Sequence, residues 1–248
     1  MSFEITNELL ANITSYTEAS NDKAIIALFE EMHYADVAEI LDELSFDDVI
    51  YIIKLIDSEK TSAVLMELDE DIRERILHKL SAKEIAEEVE ELDSDDAADI
   101  IGELSEERQE AVMSQIENEE HVKEIEELLT YDEDSAGGLM AKELVKVNEN
   151  WNVLKCVREM RSQAEEVTRV HSIYVVDNND KLKGRLSLKD LLITSTKTAI
   201  SEVYIPKVDY VNVHDDLDEV SNKMRKYDLE AIPVVDNDGI LLGRITID

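Results

Sequence analysis

Short apolar stripes and single polar residues alternate along the first half of the chain at a fixed interval. A side chain able to cap a helix recurs every twelve positions, at Ser45, Asp57, Asp69, Ser81, Asp93 and Ser105. Each follows an apolar residue: Leu44, Ile56, Leu68, Leu80, Leu92 and Leu104. Seven and eight residues beyond the marks lie pairs such as Ile52/Ile53, Val64/Leu65, Ile76/Leu77, Ile100/Ile101 and Val112/Met113. A cap, acids in the first turn and an apolar stripe at helical spacing predict a short amphipathic helix each time. Twelve residues make about two turns and a tight corner. No helix that short buries its stripe alone, so residues 22–129 are predicted to stack as a right-angled array, a small α-solenoid.

The period then changes. "VHSIYVVDNNDKLKGRLSLKDLLI" (170–193) and "LEAIPVVDNDGILLGRITID" (229–248) share one template: an apolar strand ending in "VVD", a turn rich in Asn and Asp, then "GR" and a second strand. Such turns between β-branched runs are hairpin chemistry. Upstream of each lies a helical segment, "NWNVLKCVREMRS" (150–162) and "DDLDEVSNKMRKY" (215–227), preceded by a short strand, "LVKVN" or "YVNVH". The unit is β-α-β-β. In the first copy "SLKDLLI" adds a closing helix, which the second copy, ending on "GRITID", lacks. The predicted fold class is multidomain: an N-terminal all-α superhelical stack (1–130), then two α+β repeats (131–200 and 201–248), the second truncated.

Composition narrows the function classes. A formal net charge of -35, from 60 acidic and 25 basic residues, disfavours nucleic acid and anionic membrane surfaces as partners. The one cysteine, Cys156, cannot form an internal disulfide, which fits a reducing compartment, and it sits among apolar neighbours of a predicted helix. The opening "MSFEITNELL" has neither the basic nor the apolar part of a signal peptide, and the best apolar run, "VIYIIKLI", is too short to span a bilayer and contains Lys54. The five histidines form no metal-binding pair four apart, and no phosphate-cradling GxxxxGK[ST] stretch is present. An enzyme is therefore not expected.

Carboxylates remain as candidate chemistry. Asp95 and Asp99 in "LDSDDAADI" lie four apart, on one face of a predicted helix. Asp93, Asp95 and Asp96 can equally serve to complement the helix dipole; Asp99 lies beyond the first turn, and as a like-charge pair with Asp95 it is mildly destabilising without a cation. Asp216 and Asp218 open a second helix, where caps are the competing explanation. Asp228 closes that helix against the dipole, with Lys223, Arg225 and Lys226 near enough to offset it. Gly137-Gly138 reads first as a hinge or helix terminator.

The tandem layout with "AIPVVD…GILLGRIT" resembles a pair of CBS domains. Taken with the acidic array before it and the junction "YDEDSAGGLMAKELVKV" (131–147), nearly the whole chain resembles the cytosolic region of MgtE-type magnesium transporters. The resemblance implies a Mg2+-sensing regulatory region that closes on Mg2+ and shuts an attached pore. It implies Mg2+ ligands at Asp95, Asp99, Asp216, Asp218 and Asp228, further ligand positions at the Arg225 carbonyl and Asp248, and a carbonyl at Gly138 close to bound cations. Ala63 stands near a position where the family has an acid. In the family a connecting helix and a transmembrane pore domain follow the second CBS domain, so the natural protein is expected to continue beyond Asp248 and to sit at the cytoplasmic face of the cell membrane. A homodimer through the CBS domains is implied as well.

CBS pairs elsewhere bind adenine nucleotides through an S/T-x-x-D phrase, which Ser187 and Asp190 fit; the same two residues can instead cap the closing helix. Two rival functions therefore stand beside the Mg2+ sensor. One is an adenine-nucleotide-sensing module, the other an α-solenoid scaffold for a protein partner.

Overall fold

The computed structural model describes residues 4–164, 167, 169–170 and 172–247. By contact the chain divides into two compact units, Met1–Leu92 with Asp99–Val122, and Asp93–Ala98 with Lys123–Asp248. Ten short helices come first: α1 (Asn7–Glu18), α2 (Asp22–Glu30), α3 (Tyr34–Asp42), α4 (Phe46–Ile53), α5 (Ser58–Glu67), α6 (Glu70–Leu77), α7 (Ala82–Val89), α8 (Ser94–Gly102), α9 (Glu106–Met113) and α10 (Glu119–Leu128). Each mark of the twelve-residue series immediately precedes a helix, α4 to α9. Ser45, Asp57 and Ser81 accept the N3 backbone N–H, and Ser81 with Glu84 completes a reciprocal capping box. The paired apolar positions are the core: Ile52, Val64, Leu65, Ile76, Leu77, Ile100, Ile101 and Val112 are almost wholly buried. Helix α1 extends the array upstream of residue 22, and His33 caps α3 through its ring nitrogen.

A second regularity has no counterpart in local sequence. Helices α2 and α7 have no basic residue in their last turn, whereas α6 has Arg75. The ends of all three are served by side chains near the start of the helix three places later. The Lys60 ammonium of α5 donates to the carbonyls of Phe29 (2.6 Å), Glu30 (2.6 Å) and Met32 (3.0 Å) at the end of α2. Arg108 of α9 donates to those of Leu77 (2.9 Å) and Leu80 (2.8 Å) after α6, and a ring nitrogen of His121 of α10 lies 3.2 Å from the Val89 carbonyl of α7. Lys54, which closes α4, pairs with Glu84 of α7 at 2.7 Å. These contacts satisfy orphan carbonyls and lock each helix to a later one.

The α+β unit follows the predicted template. Its elements are β1 (Val145–Asn148), α11 (Val153–Gln163), β2 (Ile173–Val176), β3 (Leu182–Leu186), α12 (Leu188–Ile193), a 3-10 turn at Ile200–Glu202, β4 (Val211–Asn212), α13 (Leu217–Tyr227), β5 (Ala231–Val235) and β6 (Leu241–Thr246). Two three-stranded sheets result, ordered β1-β2-β3 and β4-β5-β6, each with a parallel and then an antiparallel pair. The hairpin turns are built alike. Asp177 accepts the N–H groups of Asn179 and Lys181, and Asp236 those of Asp238 and Ile240. Asp180 and Gly239 take the left-handed position of each turn.

The "GR" phrases have a structural reason. Each copy's lead-in segment pairs with the last strand of the other copy. Arg185 and Ile205 exchange backbone hydrogen bonds of 3.0 and 2.8 Å; Arg244 and Ala141 exchange bonds of 2.9 and 2.8 Å. A Cβ at Gly184 would collide with the Ile205 carbonyl, and one at Gly243 would lie 2.6 Å from the Ala141 carbonyl. Glycine therefore admits the crossing chain in both copies. Cys156 is fully buried within the first repeat's core beside Val147, Val153 and Ile173, and burial pushes its thiol up to about 11. It is a packing residue.

Candidate metal centre

The first turn of α8 carries a close arrangement of candidate ligands. One ligand oxygen from each of Asp93, Asp95 and Glu143 lies within 4.8 Å of the others. Ser94, fully buried, donates its backbone N–H to one Glu143 carboxylate oxygen at 3.0 Å and its hydroxyl to the other at 2.9 Å. The same hydroxyl accepts the Lys142 N–H at 2.8 Å. Asp93 pairs with the Arg244 guanidinium at 3.1 Å, and Arg244 also donates to the Glu143 carbonyl at 2.6 Å. Burial, with Asp96, Asp93 and Glu143 adding negative charge, pushes the Asp95 carboxyl up to about 7. The donors are all carboxylate oxygens, the set a hard cation takes, and the raised Asp95 marks charge that a cation would relieve. The residues present fit Mg2+.

Asp95 is the candidate ligand read from the sequence, with Asp93, Asp95 and Asp96 as complements of the helix dipole; the structure adds the ion pair of Asp93 with Arg244. Glu143 and Arg244 were missed. Glu143 stands 49 positions from Ser94 and Arg244 151 from Asp93, so no local pattern could have found them. Asp99 lies one turn along α8 from Asp95 and is exposed.

The second cluster is looser. Asp216 caps α13, accepting the Glu219 N–H at 2.8 Å, so its capping role is realised. It also lines a pocket of about 410 Å³ together with Asp132, Asp134, Ser135 and His214. Gly138 adjoins that wall: its N–H donates to the Ser135 hydroxyl at 3.3 Å, and Ser135 pairs with Asp216 across a short antiparallel bridge. The preceding residues are fastened to the same loop, Ala136 to the Asp215 carbonyl at 2.8 Å and Gly137 to that of Val213 at 2.9 Å. Asp218 is exposed in the first turn of α13, and Arg225 is exposed in the last. Asp228 occupies the left-handed position that ends α13, with φ 53° and ψ 53°. Asp tolerates that conformation better than most residues, which accounts for an acid at a helix C-terminus. The Lys223 ammonium donates to the Tyr210 carbonyl at 2.6 Å, and Arg225 and Lys226 stand in the last turn of α13. Asp248 lies outside the described residues.

At the nucleotide candidate, Ser187 is the N-cap residue of α12, yet its side chain makes no capping hydrogen bond. Asp190 is in the first turn of α12, and its carbonyl accepts the Thr194 hydroxyl at 2.6 Å.

Comparison with known proteins gives a consistent picture. Residues 32–134 match the family model of the MgtE intracellular N domain, and residues 136–195 and 200–248 each match that of the CBS domain. The magnesium transporter MgtE of Thermus thermophilus is 43% identical over 118 residues, 48% of this chain and 26% of that protein. Its namesake in Enterococcus faecalis is 35% identical over 120 residues, again 48% and 26%. The matched part of the chain thus spans about a quarter of the length of these curated relatives. Among solved structures, the cytosolic domain of the Mg2+ channel MgtE in complex with ATP superposes with a TM-score of 0.89 at 32% identity, covering 97% of this chain and 98% of that one. The soluble part of a magnesium transporter gives 0.82 at 26% identity, covering 97% and 94%.

Proposed function

The chain belongs to the MgtE family of magnesium transporters, as a cytosolic region of an N domain and a CBS pair, and from that premise we propose that it is the Mg2+-responsive regulator of a pore carried by the full-length protein. The observation that carries the reading is the first turn of α8, where Asp93, Asp95 and Glu143 converge and Asp95 is held near neutrality by burial and like charge. Mg2+ supplies the missing positive charge there; Asp99, Asp216, Asp218, Asp228, Asp248 and carbonyls at Gly138 and Arg225 provide further oxygen donors. In this reading Mg2+ draws the acidic surfaces of the helical array and the CBS pair together, and the closed form shuts the pore. The region performs no catalysis. It works at the cytoplasmic face of the membrane, as a homodimer through the CBS pair.

Small-angle scattering with and without Mg2+ at matched ionic strength tests this. Compaction in Mg2+ that sodium does not reproduce is expected, and Asp95→Ala combined with Asp228→Ala should blunt it. An unchanged radius of gyration in both salts would overturn the sensor. Sedimentation of the same samples reads the oligomeric state.

A second reading has one observation in its favour. The Ser187 hydroxyl is not engaged in capping α12, so it remains available to a ribose or phosphate, and a related domain was solved in complex with ATP. Calorimetry with ATP on the native chain and on Ser187→Ala separates nucleotide binding from the Mg2+ response.

A further inference from the structure

The two "GR" copies form an internal control. Arg185 and Arg244 occupy the same place in their repeats and make the same pair of backbone bonds to the other copy's lead-in. Their side chains diverge: Arg185 is exposed, whereas Arg244 is only 6% exposed and holds both the Glu143 carbonyl and the Asp93 carboxylate. The CBS template therefore does not require a buried arginine here. What Arg244 gains is α8. The lead-in 141–143 is pinned on one side by β6, through Ala141, and on the other by Ser94, whose hydroxyl and N–H are both taken up by Glu143 and Lys142. The result is a hydrogen-bonded polar network, which favours this geometry because leaving any of its buried groups unpaired is costly. Asp95 shares this place with Asp93 and Glu143, one ligand oxygen of each lying within 4.8 Å of the others, and the Lys142 ammonium is directed to Glu127 at 2.8 Å.

We propose that Arg244 and Glu143 are positioning residues that clamp the first turn of α8 onto strand β6, so that a divalent cation arriving at Asp95 acts directly on the second CBS repeat. The inference rests on the reading of Asp95 as a cation ligand. The clamp fixes where the Asp95 carboxylate points, and it links neutralisation of the cluster to the strand that carries Arg244.

The test uses Arg244→Lys, which keeps the charge but loses the fork, and Ser94→Ala, which removes the hydroxyl bridge should the first variant fold poorly. Mg2+ affinity is read by calorimetry, and hydrogen exchange of the β6 amides is followed with and without Mg2+. Expected for both variants is a five- to tenfold weaker Asp95-dependent affinity, equivalent to about 1–1.4 kcal/mol, and loss of the Mg2+-dependent protection of β6. A merely structural role lowers the melting temperature equally in the presence and absence of Mg2+ and leaves both readouts as in the native chain; that result overturns the proposal. If Asp95→Asn leaves Mg2+ binding of the native chain unaltered, the reading of Asp95 as a ligand fails instead.

Discussion

Asp95 is a carboxylate whose folded environment opposes its charge. Its folded pKa of about 7 stands above the ordinary 3.8, chiefly through burial and then through Asp96, Asp93 and Glu143. The folded state therefore holds a proton that the unfolded chain has already released, and stability is lost as pH rises from about 4 to about 7. Without divalent cations, Asp95→Asn should raise the melting temperature at pH 8 and change it little at pH 4; at pH 8 Mg2+ should raise the melting temperature of the native chain more than that of the variant. Asp228 poses a different question, because its left-handed backbone alone justifies the residue. Asp228→Ala should cost roughly 1–2 kcal/mol in urea unfolding, the price of that conformation for an ordinary side chain. Asp228→Asn keeps the conformation and removes the charge, so it should preserve stability and weaken only Mg2+-driven compaction. The sequence marked Asp95, Asp216 and Asp228 as candidates but could not separate cap, backbone and ligand roles, which depend on atoms the local pattern does not contain.

At the scale of elements, the twelve-residue marks give the helices, and the long-range caps give their arrangement. Helix α2 ends without a local basic residue, and Lys60 supplies a cation to three of its terminal carbonyls from α5. Lys60→Met keeps the aliphatic stem, so its loss should come from the ammonium alone, about 1.5–3 kcal/mol for charged hydrogen bonds. Hydrogen exchange should report the damage at the end of α2, with α7 and α9 unaffected. Indifference of α2 would show that solvent caps it equally well. The strands of both repeats, their hairpin turns and the placing of α11 to α13 were legible as local chemistry. The reciprocal pairing of lead-in and last strand was not, because Ile205 and Ala141 carry no mark of their partners; only the glycines of "GR" record the crossing.

For the whole molecule, charge sets the terms. A net charge of -35 makes the compact state repel itself, so bound cations should stabilise it. An ion at ten times its dissociation constant contributes about 1.4 kcal/mol, and moving a two-state balance from 1:99 to 99:1 takes about 5.5 kcal/mol. About four such weak sites are needed, more than the α8 cluster provides, which is why the second cluster matters to the proposed switch. Thermal melts should accordingly rise with Mg2+ beyond any rise in sodium chloride of equal ionic strength, and the excess should shrink stepwise as acids of the two clusters are removed. A rise matched by sodium chloride would reduce the effect to screening. By itself the sequence determined the helices of the twelve-residue repeat, the two β-α-β-β repeats, the acidic surface and the candidacy of Asp95, because caps, periodicity and turn chemistry act over a few residues. Only the tertiary structure decided that Asp93 and Ser94 belong with Glu143 and Arg244, since burial and charge pairing between residues so far apart in the chain exist only once it has folded.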